Sequence, residues 1–193
     1  GHALAVEAAS RGAKVYCITT RADSAPDLLG VEVTPVETAA EMALAVMDRA
    51  SDVNMVLMAA AVADFRPINI ASEKIKKAEG LSEVLLEPTQ DILADLVRVR
   101  NKEQVLVGFA AETNDLYQNA TKKLKNKGVD LIVANDVSSP NIGFGCDTNA
   151  VTIFDDKGGI TEVPFADKRE IAKVVIDRAL EILRAFRIDD GTF

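Results

Sequence analysis

Short apolar runs alternate with amphipathic segments along most of the chain. Apolar runs of the length of a buried strand lie at residues 14–19, 31–36, 53–58, 83–86, 104–109 and 130–134. Segments with apolar residues at helical spacing lie at residues 1–12, 38–50, 89–100 and 113–128. Thr38, followed by Glu41, has the spacing of a capping box at the start of the second helix. Because strands and helices alternate so regularly, the pattern predicts an α/β fold with a mostly parallel sheet.

The first residues resemble the second half of a Rossmann-like unit. Gly12 ends the first predicted helix, and the buried strand at 14–19 follows directly. In a β-loop-α-β unit, Gly1 would be the end of a glycine-rich phosphate loop. We therefore expect a further strand and loop upstream of Gly1.

The carboxyl-terminal part has a different pattern. Residues 151–154 and 160–164 flank an Asp-Asp-Lys-Gly-Gly turn, which is typical of a β-hairpin. Residues 167–186 predict a closing amphipathic helix, and residues 187–193 a frayed tail. Residues 1–193 are thus predicted to form one Rossmann-like, doubly wound α/β domain with a carboxyl-terminal hairpin and a closing helix.

The composition argues against several classes of protein. A net charge of −8 disfavours a general nucleic-acid-binding protein, which needs a surplus of Lys and Arg on one face. Cys17 and Cys146 lie far apart and His2 is the only histidine, so neither a disulfide framework nor a zinc site is expected, and a reducing cytoplasm fits. No apolar run reaches the roughly twenty residues that a membrane span requires.

The segment after the apolar run at 53–58 is the strongest candidate for a binding site. It reads Ala-Ala-Ala-Val-Ala-Asp-Phe-Arg-Pro at 59–67, so small residues that let a ligand approach the backbone precede the carboxylate of Asp64. In open parallel sheets, ligands bind beyond the carboxyl ends of the strands, where residues 109–113 and 135–137 are also expected. Asp64 could instead only cap a turn, and Phe109 could be an ordinary core residue.

Lysines supply the cations that a polyanion site needs. Lys74, Lys76 and Lys77 lie in an irregular stretch, as expected of a flap that closes over phosphates. Lys123 and Lys127 are four residues apart on a predicted helix, so both ammonium groups share a face and could clamp one anion. An ordinary solvated surface is the alternative for both groups.

Five segments occur in an order and spacing that resemble one family. They read Ala-Ala-Val-Ala-Asp-Phe at 60–65, Lys-Ile-Lys-Lys at 74–77, Asp-Ile-Leu-Ala at 91–94, Val-Gly-Phe-Ala-Ala-Glu-Thr at 107–113 and Asp-Leu-Ile-Val-Ala-Asn-Asp-Val at 130–137. In this combination the chain resembles phosphopantothenoylcysteine synthetase, the phosphopantothenate-cysteine ligase of coenzyme A biosynthesis. The resemblance covers nearly the whole chain.

The resemblance implies a ligation in two steps. The carboxylate of 4'-phosphopantothenate attacks the α-phosphate of a nucleoside triphosphate, which is CTP in bacterial members, and pyrophosphate leaves. The amine of L-cysteine then displaces the nucleotide to form the amide. Mg²⁺ would bridge the triphosphate, with Asp64 as a metal ligand. Clustered lysines fit this chemistry, because both steps spread negative charge over phosphate oxygens.

The resemblance also implies which residues bind the nucleotide. Carried over position by position, they are Met58, Ala59, Ala60, Asp64, Lys74, Gln90, Asp91, Ile92, Leu93, Phe109, Lys123 and Lys127. The backbone of residues 58–60 would read the base, because a larger side chain would hold the ring away, so residue types do not decide between CTP and ATP. Lys74 is also the implied catalytic residue: loss of its charge should impair formation of the acyl-nucleotide.

Partners follow from the same resemblance. Many bacterial members form the carboxyl-terminal half of a bifunctional protein whose other half is an FMN-dependent phosphopantothenoylcysteine decarboxylase, so FMN would bind in that half and not in this chain. The synthetase domain of the family is a dimer, and the predicted hairpin at 151–164 is our candidate for the contact. The family's amino-terminal strand, with an Asn that holds the acyl intermediate and a Ser-Ser-Gly loop, is expected before Gly1.

Two other classes of function remain as alternatives. An NAD(P)-dependent oxidoreductase would share the Rossmann-like opening, but it usually has an acidic residue at the end of the second strand, where this chain has Thr19, Thr20 and Arg21. A non-catalytic nucleotide-binding module would keep the alanine tract but would have little use for a flap lysine. Pyrophosphate release in the presence of all three substrates would separate the ligase from both alternatives.

Overall fold

The fold is given by a computed structural model that describes residues 1–69, 83–112, 115–136 and 148–189. In these ranges the strands are β1 Val15–Thr19, β2 Val31–Pro35, β3 Met55–Met58, β4 Phe65–Pro67, β5 Leu86–Pro88, β6 Val105–Glu112, β7 Leu131–Asp136, β8 Thr148–Asp155 and β9 Ile160–Asp167. The helices are α1 His2–Ser10, α2 Ala39–Arg49, α3 Ile92–Val99, α4 Leu116–Lys127 and α5 Lys168–Asp189. Strands and helices alternate through most of the chain, as the sequence pattern predicts.

A five-stranded sheet with the order β3-β6-β7-β8-β9 forms the centre of the fold. The first three strands are parallel, with Met58 opposite Gly108 and Gly108 opposite Ile132. The last two strands form an antiparallel hairpin at one edge. The prediction of a Rossmann-like, mostly parallel sheet with a carboxyl-terminal hairpin and a closing helix is confirmed.

Two smaller sheets accompany the central one. β1 and β2 are parallel, and within the described ranges they pair only with each other. β4 and β5 form an antiparallel ribbon in which Arg66 lies opposite Glu87, and their side chains form an ion pair. The sequence pattern predicts the second of these strands at 83–86, and this position is wrong, because β5 spans Leu86–Pro88. Pro67 and Pro88 each remove a backbone donor, so neither strand of the ribbon has the pattern of a regular strand.

Helices cover both faces of the central sheet, as a doubly wound fold requires. α2, α3 and α4 pack on one face, in a core that includes Leu96, Leu106 and Ile132. α1 and α5 pack on the other face, in a core that includes Val107, Val133 and Val175. Because β6 and β7 alternate their side chains between the two cores, both faces of these central strands are buried.

The helix ends agree only in part with the sequence prediction. Thr38 and Glu41 form the predicted capping box at the start of α2. α3 begins later than predicted, because Asp91 is its cap rather than Thr89 or Gln90. The predicted start of α4 at residue 113 or 114 lies outside the described residues.

The last helix is longer than the sequence predicts. α5 runs to Asp189, so the expectation of a frayed tail from residue 187 is wrong for residues 187–189, and residues 190–193 lie outside the described ranges. Despite its length, α5 carries many charged side chains. In the described part of the chain, no helix is long and apolar enough to cross a membrane.

Candidate functional site

The end of β3 brings the alanine tract to the edge of the sheet. Met58 is the last residue of β3 and lies opposite Gly108 of β6. Its side chain packs toward the α2–α4 core, whereas that of Ala59 packs toward the α1–α5 core. Ala60 is exposed. Exposure thus increases from the partly buried Met58 and Ala59 to Ala60, and the residues after Met58 have small side chains, which suits the predicted recognition through the backbone.

Thr89 joins the Asp64 segment to the start of α3. The Thr89 amide donates to the carbonyl oxygen of Asp64 at 2.9 Å, and its hydroxyl donates to the carbonyl oxygen of Ala63. The carboxylate of Asp64 is exposed and makes no contact with a polar group in the described residues. Two of the predicted motifs thus meet, through a residue that sequence reasoning did not select; its only signal is a hydroxyl directly after Pro88.

Asp91 connects α3 with α4. One carboxylate oxygen, Oδ1, accepts a hydrogen bond from the Ala94 amide at 3.1 Å and caps α3. The other, Oδ2, accepts from the Nζ of Lys127 in the last turn of α4. Burial alone would raise the pKa of Asp91, but the hydrogen bonds from Lys127 and Ala94 outweigh it and leave the pKa below its usual value. Two predicted site residues therefore form an ion pair with each other.

The neighbours of Asp91 have side chains that point elsewhere. The Gln90 amide nitrogen donates to Asp95 Oδ2 at 2.7 Å. Ile92 is buried in the core, with 3% of its surface exposed, and Leu93 packs against the same core. If Ile92 contacts a nucleotide, the contact must come from its backbone.

Gly108 lets α3 lie close to the sheet. A Cβ atom at this position would lie 2.8 Å from Cδ1 of Ile132 and 3.2 Å from Cδ2 of Leu93, which is too close for an ordinary contact. The glycine therefore makes room for Leu93, two residues after Asp91. The signal for this contact in the sequence is a glycine inside the predicted strand at 104–109, where close approach of another element is expected.

Phe109 lies on the other face of the sheet. Because side chains alternate along β6, Phe109 points to the α1–α5 core, whereas Leu93 and Lys127 belong to the face that carries α3 and α4. Phe109 is only partly buried. The predicted site residues are thus distributed on both faces of the sheet, and Phe109 is separated from the Asp91–Lys127 pair by the strand itself.

The paired lysines of α4 share one face, as their spacing predicts. Lys123 and Lys127 line an open groove of about 380 Å³, together with Asn119, Lys122 and Asn126. All of these residues belong to α4, so the groove runs along the surface of the helix. Its connection to the strand-end residues is the contact between Lys127 and Asp91.

Several predicted site residues cannot be placed. Lys74, Lys76, Lys77, Thr113 and Val137 lie outside the described residues. Within the described ranges, no three His, Cys, Asp or Glu side chains cluster as a protein-only metal site would require. One exposed carboxylate such as Asp64 does fit Mg²⁺, because this ion is commonly held by one or two carboxylates together with phosphate oxygens of the substrate.

Comparisons with a family model and with curated proteins identify the family to which the chain belongs. The family model described as "DNA/pantothenate metabolism flavoprotein C-terminal domain" matches residues 1–183. The chain is 43% identical over 172 residues to the coenzyme A biosynthesis bifunctional protein CoaBC of Bacillus subtilis (strain 168), covering 89% of this chain and 42% of that protein. It is 39% identical over 183 residues to a protein of an unknown prokaryotic organism named cysteine/cysteine sulfinic acid decarboxylase, covering 95% of this chain and 51% of that protein.

A solved structure supports the same grouping. The crystal structure of the carboxyl-terminal domain of a coenzyme A biosynthesis bifunctional protein CoaBC superposes with a TM-score of 0.77 and is 33% identical in sequence. The superposition covers 96% of this chain and 82% of that one. By contrast, the chain spans only about half the length of the two curated relatives.

Proposed function

Since the chain belongs to the family of DNA/pantothenate metabolism flavoprotein C-terminal domains, we propose that it is a phosphopantothenate-cysteine ligase of coenzyme A biosynthesis that uses CTP. Its similarity to CoaBC proteins in sequence and in structure supports this assignment. The substrates are 4'-phosphopantothenate, L-cysteine and CTP. The products are 4'-phosphopantothenoylcysteine, CMP and pyrophosphate.

The proposed chemistry has two balanced steps. A carboxylate oxygen of phosphopantothenate forms a bond to the α-phosphorus of CTP, and the bond from that phosphorus to the bridging oxygen breaks, so that pyrophosphate leaves. The cysteine amine then attacks the acyl carbon of the acyl-cytidylate and loses a proton, and CMP leaves with the electron pair of the broken C–O bond. Both leaving groups carry negative charge on phosphate oxygens, so nearby cations lower both barriers.

The contact network around Thr89 and Asp91 is the observation that carries the proposal. Through Thr89, the Asp64 segment is bonded to the residues that begin α3, and through Asp91 these residues are bonded to Lys127 of α4. Two segments that are far apart in sequence, one with the exposed carboxylate of Asp64 and one with the ammonium group of Lys127, are therefore joined to the same short stretch before α3. A triphosphate with a bound cation needs this combination.

The first turn of α3 supports binding of phosphate groups. The amides of Ile92 and Leu93 have no partner within the described residues, because the first turn of a helix leaves its amides unpaired. Amides at a helix start, together with a nearby lysine, favour an anion. We propose that residues 90–93 bind the triphosphate through these amides, with Lys127 and Lys123 as cations. This role suits Ile92 and Leu93, whose side chains face the core.

We propose that Mg²⁺ binds with the nucleotide and that Asp64 is its protein ligand. When bound, the ion would neutralise charge on the triphosphate and on the leaving pyrophosphate. The exposed carboxylate of Asp64 is available for this role in the described structure. Lys74 remains the predicted catalytic lysine on the resemblance alone.

Assembly and location are also part of the proposal. We propose a homodimer with a contact at the β8–β9 hairpin, because Ile160 and Phe165 of the edge strand are 53% and 57% exposed. Sedimentation of Phe165→Glu against wild type tests this contact. We further propose that the ligase is fused to, or assembled with, an FMN-dependent decarboxylase that consumes its product. The reaction would take place in the cytoplasm.

One assay tests the function directly. The full-length protein is incubated with Mg²⁺, CTP, 4'-phosphopantothenate and L-cysteine. The pyrophosphate released is quantified, and the product is identified by mass spectrometry. We expect one pyrophosphate per amide formed, and no amide when any substrate is omitted. CTP cleavage without amide, nucleotide binding without turnover, or oxidation of NADH would overturn the proposal. Repeating the assay with ATP in competition decides the nucleotide.

A further inference from the structure

Both carboxylate oxygens of Asp91 accept hydrogen bonds from the protein, and one of these bonds is the ion pair with Lys127. Oδ1 of Asp91 accepts from the Ala94 amide, and Oδ2 accepts from Lys127. Each oxygen thus already accepts one hydrogen bond from the protein, and both bonds favour the ionised carboxylate. A direct contact between an ionised carboxylate and a triphosphate would also be repulsive, because both are negatively charged. Asp91 is therefore badly suited to contact the nucleotide with its own side chain.

The pair lies where two helix ends favour it. Asp91 caps the start of α3, and Lys127 lies in the last turn of α4. A negative group is stabilised at the start of a helix and a positive group at its end. Each charge is thus stabilised by the end of its own helix as well as by the opposite charge of its partner. The pKa of Asp91, which these contacts lower, keeps the carboxylate ionised at neutral pH.

Fixing Lys127 has a consequence for binding. A free lysine side chain has many rotamers, and ordering it costs up to about 2 kcal/mol of conformational free energy. Here the contact with Asp91 orders the side chain before any ligand arrives, and 31% of it remains exposed. The ammonium group is bonded to Asp91, the residue that caps the start of α3. A ligand that binds there meets a cation already in place.

We infer that Asp91 is a positioning residue: its carboxylate holds the Lys127 ammonium at the start of α3, and it acts on the nucleotide through Lys127 and not by direct contact. The inference rests on the proposed function, since it concerns the same triphosphate. It separates Asp91 from Asp64, whose exposed carboxylate has no contact with a polar group in the described residues. Two acidic residues of the predicted site thus have different roles.

A double-mutant cycle in the full-length protein tests the inference. The variants are Asp91→Asn, Lys127→Met and the double variant, and the measurement is the Kd for CTP with Mg²⁺ by calorimetry. Asparagine caps a helix about as well as aspartate, so α3 is expected to be retained. We expect Asp91→Asn to weaken CTP binding by about 5-fold, as the loss of a partly exposed charge contact predicts, and to have no effect once Lys127 is replaced.

Asp95→Asn is the matched control. Asp95 lies in the first turn of the same helix and carries the same charge, but its side chain contacts Arg98 and Gln90 rather than Lys127. We expect the Kd of Asp95→Asn to stay within about twofold of wild type, as for a surface charge without a ligand role. Asp91→Ser, which also keeps a capping oxygen, provides a second variant if Asp91→Asn is unstable.

The outcomes distinguish the inference from the proposed function. If Asp91→Asn weakens binding equally in the wild-type and Lys127→Met backgrounds, Asp91 acts directly and the inference is wrong, while the ligase proposal is untouched. A higher Mg²⁺ requirement in Asp91→Asn would also contradict the inference, because it would indicate a metal ligand. Wild-type protein that binds no CTP and forms no amide would overturn the proposed function, and the inference with it.

Discussion

Two ion pairs, each between an aspartate and a basic residue, lie at the two ends of α3. At its start, Asp91 pairs with Lys127, and just past its end Arg100 pairs with Asp130, with an Nη1 to Oδ2 distance of 2.7 Å. Both pairs connect α3 to the α4–β7 region. Their exposures differ greatly, since the side chain of Asp91 is 48% exposed and that of Asp130 is 4% exposed. Pairing alone therefore does not identify a functional residue.

The environments explain the difference between the pairs. Asp130 Oδ2 also accepts from the Leu106 amide at 2.7 Å, so this carboxylate fixes the beginning of β6 inside the core. Burial raises the pKa of Asp130 despite that amide and Arg100, whereas the pKa of Asp91 is lowered. The Arg100–Asp130 pair just past the end of α3 therefore has a structural role. The Asp91–Lys127 pair at the start of α3 is partly exposed, and it follows Thr89, which is bonded to the Asp64 segment.

Removal of the buried carboxylate is expected to have the largest effect on stability. Asp130→Ala leaves Arg100 and the Leu106 amide without their partner, and breaking a buried pair costs about 3 to 5 kcal/mol of unfolding free energy. Urea unfolding measures this loss. Asp48→Ala, at an exposed helical position, is the control and should change the free energy by less than about 0.5 kcal/mol. An Asp130→Ala protein as stable as wild type would remove the distinction between the two pairs.

The second-largest loss of stability is expected from crowding the contact between α3 and the sheet. In Gly108→Ala, the new methyl group meets Ile132 and Leu93, and overpacking of this kind costs about 2 kcal/mol. A shift of α3 would also move Asp91 away from Lys127, so CTP binding should weaken together with stability. Adding Ile132→Val removes the nearest methyl group and should restore part of both losses. If Gly108→Ala leaves both quantities unchanged, α3 does not need this close contact.

Local patterns sufficed for the main features of the fold. The strand at β6, the capping box of Thr38 and Glu41, and the hairpin of β8 and β9 are visible in sequence because each depends on side-chain spacing within one short segment. The strand predicted at 83–86 lies instead at Leu86–Pro88, and β4 is not predicted at all, because the ribbon depends on a partner about twenty residues away and both strands contain proline. The cap of α3 was missed because three successive polar residues, Thr89, Gln90 and Asp91, could each have served.

For the candidate site, too, the sequence predicts relations within one element but not contacts between elements. Residue types and spacing predict that Lys123 and Lys127 share a face of α4, because the helix period fixes this relation. They do not reveal that Lys127 is paired with Asp91, since that contact depends on how α3 and α4 pack. The position of Gly108 beneath Leu93 is likewise a property of packing. Contacts between elements are what the sequence pattern leaves open.

The exposed pair is expected to affect binding more than stability. Lys127→Met removes one cation from the proposed triphosphate site, and the loss of one charge-assisted hydrogen bond should raise the Kd for CTP by roughly 10-fold. Lys125→Met is the matched control, because Lys125 lies on the same helix without a contact to Asp91. Its Kd should be that of wild type. A large loss of stability in Lys127→Met with unchanged binding would assign this pair the structural role of Arg100 and Asp130.

The pH dependence of stability gives the smallest effect and the opposite sign for the two carboxylates. The folded-state pKa of Asp91 is lowered, so its stabilising contribution is complete above the unfolded pKa of about 3.9 and is lost as the pH falls through the folded value. For Asp130 the folded-state pKa is raised, so its contribution is complete below the unfolded value and decreases as the pH rises through the folded one. We expect wild type to exceed Asp91→Asn by about 0.5 kcal/mol at pH 7, as for a partly exposed pair, and this difference to vanish toward pH 3. Urea unfolding at pH 7, 5 and 3 measures it. In a Lys127→Met background the difference should shrink at every pH, and a difference that instead grows on acidification would mean that the ionised form of Asp91 does not stabilise the fold.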